Sequence, residues 1–265
     1  MTQALQPILE TRHMVKSFGG IRASDDLNLR VLPGELHAVI GPNGAGKTTL
    51  ISQLCGSLLP DAGEVLYKGR NITHVAPHVR AQMGIARSFQ ITSLIMDMTV
   101  LENISLAAQA FMGSSFRFFK PASADSKVRQ RAVACLERVG LASQANRVAK
   151  ELSHGEHRRM EIAIALAAES ELMLLDEPMA GLGGEEGQDI INLLQGLKGQ
   201  QTIVLIEHDM DAVFALADRI SVLVYGHVIA CDTPHNIRNN AEVKSAYLGE
   251  DLPIQNVASL ESEIE

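Results

Sequence analysis

Cysteine is scarce in these 265 residues: Cys55, Cys135 and Cys231 are odd in number, far apart and without CxxC spacing. That pattern points away from a disulfide framework or a paired-thiol metal site, and predicts reduced, buried thiols in a cytosolic protein. Basic charge is also short. Lys and Arg total 23 against 31 Asp and Glu, a net charge of −8, which argues against a broad basic surface for DNA or RNA but leaves a local patch open. No long apolar run exists. The longest candidate, residues 162–168, falls far below the ~18 residues that span a bilayer and is followed by Glu169. The first twelve residues lack the basic start and apolar stretch of a signal peptide. The expectation is a cytosolic chain whose membrane role comes through a partner.

What is present is an ordinary globular balance, 46% hydrophobic and 20% charged, in a chain long enough for one domain with a subdomain. Residues 9–15 and 27–32 read as strands punctuated by Gly19-Gly20 and Pro33-Gly34. An apolar run, 36–40, leads into a glycine-rich loop and a helix to Leu54, and a strand follows at 64–67. From 99 to 168 the period turns helical. Val100, Ile104 and Ala107-Ala108 mark one helix, and Val128, Ala132, Cys135-Leu136 and Val139 mark another that ends at Gly140. Residues 113–126 read as a loop or broken helix. After Glu169 short apolar runs at 172–175, 202–206 and 220–224 alternate with helices at 186–197 and 210–217, the signature of a mostly parallel buried sheet. The fold class is α/β, with a helical block at 91–168 set into a core of 8–90 and 169–250. The acidic tail, 251–265, is expected to be poorly ordered.

Gly41-Pro42-Asn43-Gly44-Ala45-Gly46-Lys47-Thr48 matches GxxxxGK[ST], with Thr49 next in the helix. Glycines let backbone N–H groups wrap an anion, and the helix opening at Lys47 adds its positive end. Lys47 suits the β- and γ-phosphates of ATP, and the Thr48 hydroxyl suits Mg²⁺. Asp176 and Glu177 end the run 172–175, where an α/β sheet places its ligand. Alternation along a strand turns them in different directions, Asp176 toward the metal and Glu177 toward the attacking water as general base. His208 follows the strand 202–206 on the same edge and can reach the γ-phosphate or orient Glu177. Leu152-Ser153-His154-Gly155-Glu156 opens a further helix. Ser153 can act there as a plain cap or, with Gly155, as a second phosphate cradle serving another nucleotide in a two-fold dimer.

These motifs together resemble the ABC transporter ATPases over residues 8–250. The phosphate loop looks like Walker A, Leu172 to Glu177 like Walker B with the catalytic glutamate, and Leu152 to Glu156 like the LSGGQ signature. Gln90 fits the Q-loop glutamine that senses Mg²⁺ and the permease, His208 the switch histidine, and Phe18 the ring that stacks on adenine. The resemblance implies a P-loop NTPase fold with a mixed β core, an inserted helical subdomain and an N-terminal antiparallel β subdomain. It also implies an ATP sandwich in which Ser153 and Gly155 of one subunit close over the phosphate loop of the other. The mate is a second copy or a second ABC ATPase.

Ser17-Phe18-Gly19-Gly20, residues 98–103, Ile206-Glu207-His208-Asp209-Met210 and Tyr247-Leu248-Gly249-Glu250 are closer still to LivG-type ATPases of branched-chain amino acid importers. Lipopolysaccharide-export and urea or amide importer ATPases share several of these features. The implied partners are integral-membrane permease subunits and, indirectly, a periplasmic binding protein, at the cytoplasmic face of a bacterial inner membrane.

Three positions depart from the pattern: His154, Glu156 and, at the D-loop, Gly183. Ile91, Leu94, Ile95, Met96 and Met98 can form either a groove for a permease helix or ordinary subdomain core. Phe111, Phe116, Phe118 and Phe119 read as packing or membrane-proximal surface. A DNA-handling relative would need long coiled coils between Lys47 and Ser153, a translation factor two cassettes, and a small kinase or GTPase no signature; none of these fits.

Overall fold

The computed structural model describes residues 5–87, 94–112 and 125–248. In chain order its elements are β1 (Leu9–Phe18), β2 (Ile21–Val31), β3 (Leu36–Ile40), α1 (Lys47–Leu54), β4 (Ala62–Tyr67), β5 (Arg70–Asn71), α2 (Pro77–Gln82) and β6 (Ile85–Arg87). There follow α3 (Val100–Phe111), α4 (Ser126–Arg138), α5 (His154–Ala167), β7 (Leu172–Asp176), α6 (Gly184–Leu197), β8 (Thr202–Ile206) and α7 (Met210–Leu216). The chain continues with β9 (Arg219–Val224), β10 (His227–Asp232), α8 (Pro234–Asn239) and α9 (Ala241–Leu248).

Two sheets form among the described residues. One is antiparallel, in the order β2-β1-β4-β5. The other runs β10-β9-β3-β8-β7-β6, parallel throughout except for the antiparallel edge strand β10. Strands β3, β7 and β8 are buried at every position, as expected of parallel strands covered on both faces.

The period-2 alternation sorts their side chains. Ala38, Met173, Leu175, Ile203 and Leu205 pack with the helices α3 to α7 on one face. Val39, Leu172, Leu174, Val204 and Ile206 pack with α1 and the antiparallel sheet on the other. Each fully buried Leu or Ile contributes roughly 1.5–3 kcal/mol, so these two aliphatic layers fix the sheet, and the sheet fixes its carboxyl edge.

The helical block begins where local chemistry dictates. Thr99 caps α3 in a reciprocal box with Glu102, and Asp125 caps α4 by accepting from the Lys127 N–H. Past α4, Gly140 takes φ 70°, the left-handed stop that a β-carbon disfavours. The tail 251–265, Gln90, Ile91 and the segment 113–124 with Phe116, Phe118 and Phe119 lie outside the described residues. No helix among the described residues is long and apolar enough to cross a membrane.

One expectation is corrected. The three cysteines are free, but only Cys135 is buried; Cys55 is half-buried and Cys231 is exposed. Cys231 sits on β10, the edge strand, whose outer side no further strand covers.

Candidate functional site

The carboxyl ends of the parallel strands converge on the phosphate loop, which follows β3 directly. Gly46 closes the loop with φ 104°, and a β-carbon there would lie 2.1 Å from the Ala23 carbonyl. Only glycine allows this turn. Gly226 pins the loop by donating its N–H to the Ala45 carbonyl at 2.9 Å. No side chain caps α1 and no acidic residue stands in its first turn, so the helix presents its first N–H groups and its positive end to a ligand. Lys47 Nζ donates to the carbonyls of Gly41 at 2.6 Å and Pro42 at 3.0 Å. Burial pushes its ammonium below the usual lysine value, while Glu177 and Asp176 pull it back up. The lysine and both carboxylates therefore share one field.

Asp176 ends β7 in a buried position. Arg87 Nη2 stands 3.3 Å from its Oδ2. Burial raises the carboxyl above its ordinary value against the pull of Arg87. Glu177 does not continue the strand: its φ is 49°, its N–H donates to the Ile206 carbonyl at 2.9 Å, and its side chain is 41% exposed. The two carboxylates differ in exposure, Asp176 buried and Glu177 half-exposed, and a left-handed turn at Glu177 rather than strand alternation separates them. Backbone in that region costs a non-glycine residue free energy and clusters at functional sites.

His208 is 65% exposed, with Nδ1 3.8 Å from Glu177 Oε1 and 3.8 Å from Glu207 Oε2. Both separations are ion-pair distances, longer than a hydrogen bond. Phe18, at the end of β1, is 51% exposed, and Lys16 Nζ sits 5.6 Å from its ring centre. Thr48 is exposed and Thr49 half-buried on α1. Gln90 lies outside the described residues.

Ser153 is the N-cap of α5, accepting from the Glu156 N–H at 3.2 Å while Glu156 Oε2 accepts the Ser153 N–H at 2.8 Å. Gly155 donates its N–H to Glu186 Oε1 at 3.3 Å. A β-carbon on Gly155 would meet Glu186 side-chain atoms at 3.0 Å. Within this chain the signature residues thus face two glutamates, apart from the phosphate loop's own cluster.

Three residues that matter here carry weak sequence signals. Arg87 is the one cation of β6, next to Asp176 in space and 89 positions away in sequence. Glu207 is buried and accepts the N–H groups of Met179 at 3.0 Å and His208 at 3.1 Å. It ties the loop after Glu177 to the histidine, and burial raises its carboxyl against those bonds. The hint was a carboxylate directly after an apolar strand. Glu186 gives no hint beyond its place in the first turn of α6.

A family model described as ABC transporter matches residues 24–180. The chain belongs to the ABC transporter ATPases. A second model, the branched-chain amino acid ATP-binding cassette transporter, matches residues 227–252. The high-affinity branched-chain amino acid transport ATP-binding protein LivG of Escherichia coli (strain K12) is 40% identical over 252 residues, covering 92% of this chain and 99% of that one. The ADP conformation of an ATP-binding cassette of an ABC transporter superposes with TM-score 0.81 at 32% identity, covering 92% of this chain and 99% of that chain. A dimeric, post-hydrolysis cassette bound to ADP and Pi superposes with TM-score 0.72 at 27% identity, covering 85% and 98%. This ABC ATPase is thus an ATP-hydrolysing subunit whose fold is that of the solved cassettes.

Proposed function

We propose that this ATPase hydrolyses Mg-ATP between two cassettes and powers import of branched-chain or other hydrophobic amino acids through separate permease subunits. The observation that carries the chemistry is that Lys47, opening the uncapped α1 after β3, and Asp176-Glu177, ending β7, stand at the same carboxyl edge of one parallel sheet with only β8 between their strands. Similarity to LivG along 99% of that protein supports the cargo class, as does the family model over residues 227–252.

Phe18 offers its exposed ring to the adenine. Gly41, Asn43, Gly44, Ala45 and Gly46 wrap the phosphates with backbone N–H groups while Pro42, which has none, shapes the loop, Thr48 and Thr49 extend the cradle along α1, and Lys47 leaves its two loop carbonyls to neutralise the β- and γ-phosphates. Thr48 and Asp176 supply a hydroxyl and a carboxylate, the hard oxygen donors that suit Mg²⁺, with Gln90 as a third. Held there by Thr48 and Asp176, the cation would supply positive charge beside the phosphates. Glu177, turned out of the strand and toward solvent, holds the attacking water and takes its proton. His208 orients Glu177 across the 3.8 Å between them. Ser153 and Gly155 meet the nucleotide of the mate, which requires the Glu186 carboxylate to leave the Gly155 N–H. The dimeric relative bound to ADP and Pi supports this pairing. The mate is a second copy or a second ATPase of the family. A periplasmic binding protein delivers cargo to the permease at a bacterial inner membrane, with this chain on the cytoplasmic side.

Glu177→Gln tests the chemistry. Turnover falls by roughly 10²–10⁴-fold, the range of a general base, while nucleotide binding persists and saturating Mg-ATP traps a dimer in size-exclusion chromatography. A variant that stays monomeric defeats the sandwich. For the cargo, cells lacking this chain lose uptake of labelled leucine, isoleucine and valine; unchanged uptake defeats the amino acid reading.

A further inference from the structure

Asp176 and Ile206 are partners at the end of the β7–β8 ladder, and past them the chain leaves the sheet on both sides. One exit carries Glu177 and runs through residues 178–183 to α6. The other carries His208 and enters α7, which Asp209 caps. The first exit is closed on itself: Ala180 donates its N–H to the Glu177 carbonyl at 3.1 Å, and Leu182 to the Met179 carbonyl at 3.2 Å. Two links join it to the second. The Glu177 N–H reaches the Ile206 carbonyl at 2.9 Å, and the Glu207 carboxylate supplies the rest.

Glu207 is 1% exposed. Its Oε1 accepts the Met179 N–H at 3.0 Å, and its Oε2 accepts the His208 N–H at 3.1 Å. One carboxylate thus spans both exits with separate oxygens. The same Oε2 stands 3.8 Å from His208 Nδ1, and Glu177 Oε1 stands at an equal 3.8 Å, so the imidazole lies between two carboxylates. The histidine side chain is largely exposed and has little packing to fix it. Its direction is set by the backbone that Glu207 holds.

We propose that Glu207 is a positioning residue for ATP hydrolysis: its two oxygens keep the loop after Glu177 and the segment bearing His208 in register. This rests on the reading of Glu177 as general base and of His208 as the group that orients it. The role explains the residue type. Two N–H groups from separate segments need two acceptors on one side chain, and a charged acceptor strengthens both bonds. Glutamine offers one oxygen, and its NH₂ would meet the second N–H donor against donor. Aspartate keeps the charge and both oxygens but is one methylene too short to span the exits. Among the described residues the bonds of Glu207 run to these two segments and none to the phosphate loop. Its loss therefore falls on the chemical step and spares nucleotide binding through Lys47 and α1.

The full chain is compared with Glu207→Gln and Glu207→Asp. Turnover at saturating Mg-ATP falls about 10- to 100-fold in each, the cost of displacing a reacting group by about 1 Å. The calorimetric Kd for Mg-ADP stays within about twofold of the parent, the split left by an interaction that serves only the transition state. On a His208→Ala background, Glu207→Gln costs less than about threefold more, because residues that act as a unit are not additive. Should Glu207→Gln fail to fold, Glu207→Asp carries the same readouts. Turnover within about threefold of the parent in either variant, a matching loss of nucleotide affinity, or a full multiplicative loss on the His208→Ala background overturns the proposal. Glu177→Gln, measured alongside, separates the two readings. Parental turnover there defeats the general base itself. A slow Glu177→Gln beside a parental Glu207→Gln defeats only the role of Glu207.

Discussion

Arg80→Met removes a cation whose worth can be worked from its bonds. The Arg80 side chain is 1% exposed. Nε donates to the Val75 carbonyl at 2.9 Å, Nη1 to Gln53 and Leu54 at 2.8 Å each, and Nη2 to Ile72 at 2.6 Å and Thr73 at 2.9 Å. Two of these oxygens have a second donor: Gly56 serves Gln53 and Val75 serves Ile72. Among the described residues the carbonyls of Leu54, Thr73 and Val75 have none. Stranding a buried acceptor costs about 1–3 kcal/mol. Three of them, at the low end because methionine keeps the stem packed and relieves the buried charge, give about 3 kcal/mol. That matches the ~3–5 kcal/mol for breaking a buried charged network. For a domain of this size each kcal/mol moves Tm by about 2–4 °C, so the expected drop is roughly 6–12 °C. Far-UV circular dichroism during heating and urea titration measures it. Arg80→Lys should recover little, since one ammonium cannot span five carbonyls. A variant within about 0.5 kcal/mol of the parent, the range of an ordinary surface change, would refute the reasoning. Two of the carbonyls close the last turn of α1, so the helix that bears the phosphate loop hangs on this residue.

Gly46→Ala drives a β-carbon to 2.1 Å from the Ala23 carbonyl; distorting the loop by ~1–3 kcal/mol should weaken ATP binding roughly 10- to 100-fold by calorimetry, and unchanged affinity would remove the loop from the site. Glu186→Ala frees the Gly155 N–H, and by giving up a competing acceptor it should lower the ATP concentration needed for dimerisation several-fold in size-exclusion runs on the Glu177→Gln background; a higher requirement would mean the glutamate supports the interface instead. Glu102 is held below the usual glutamate range by the bonds it accepts from the Thr99 backbone N–H and hydroxyl. A depressed folded-state pKa stabilises above the unfolded value and fades as pH falls through the folded one. Glu102→Gln should therefore lower the urea midpoint at pH 7 and converge with the parent as acid protonates the folded-state carboxyl, whereas a gap constant with pH would exclude the charge as its cause.

What the sequence reveals depends on the range of the interaction. The phosphate loop, the Ser153 cap and the apolar runs of β3, β7 and β8 are local, and each is legible. Helices α2 and α8 are six residues long with proline in the first turn, too short to show a period. Strand β6 has three residues, and β10 is only half covered, so neither reads as a buried run. The contacts that shape the site join distant positions: Arg80 with Gln53, Glu207 with Met179, Glu186 with Gly155, Arg87 with Asp176. Periodicity tells that such a residue is near the core. It does not tell which carbonyl or N–H will stand opposite, because that follows from how two elements cross.

Two helix ends offered themselves as phosphate cradles, and their surroundings separate them. The N-terminus of α1 has no capping side chain and no acid in its first turn. The N-terminus of α5 carries the Ser153–Glu156 box and the Glu186 carboxylate on the Gly155 N–H. Negative charge at a helix N-terminus is worth about 0.3–1 kcal/mol when exposed, and a carboxylate already seated there competes with a phosphate for the same donors. On the proposed sandwich, a lone cassette binds nucleotide through α1, and α5 contributes only after Glu186 has been displaced. Since α6 follows directly on the loop that Glu207 ties to His208, moving Glu186 also pulls on the segment holding Glu177. On that proposal, engagement of the mate's phosphate and adjustment of Glu177, the proposed general base, become one displacement, which would let a pair of sites act together even with Gly183 at the D-loop position.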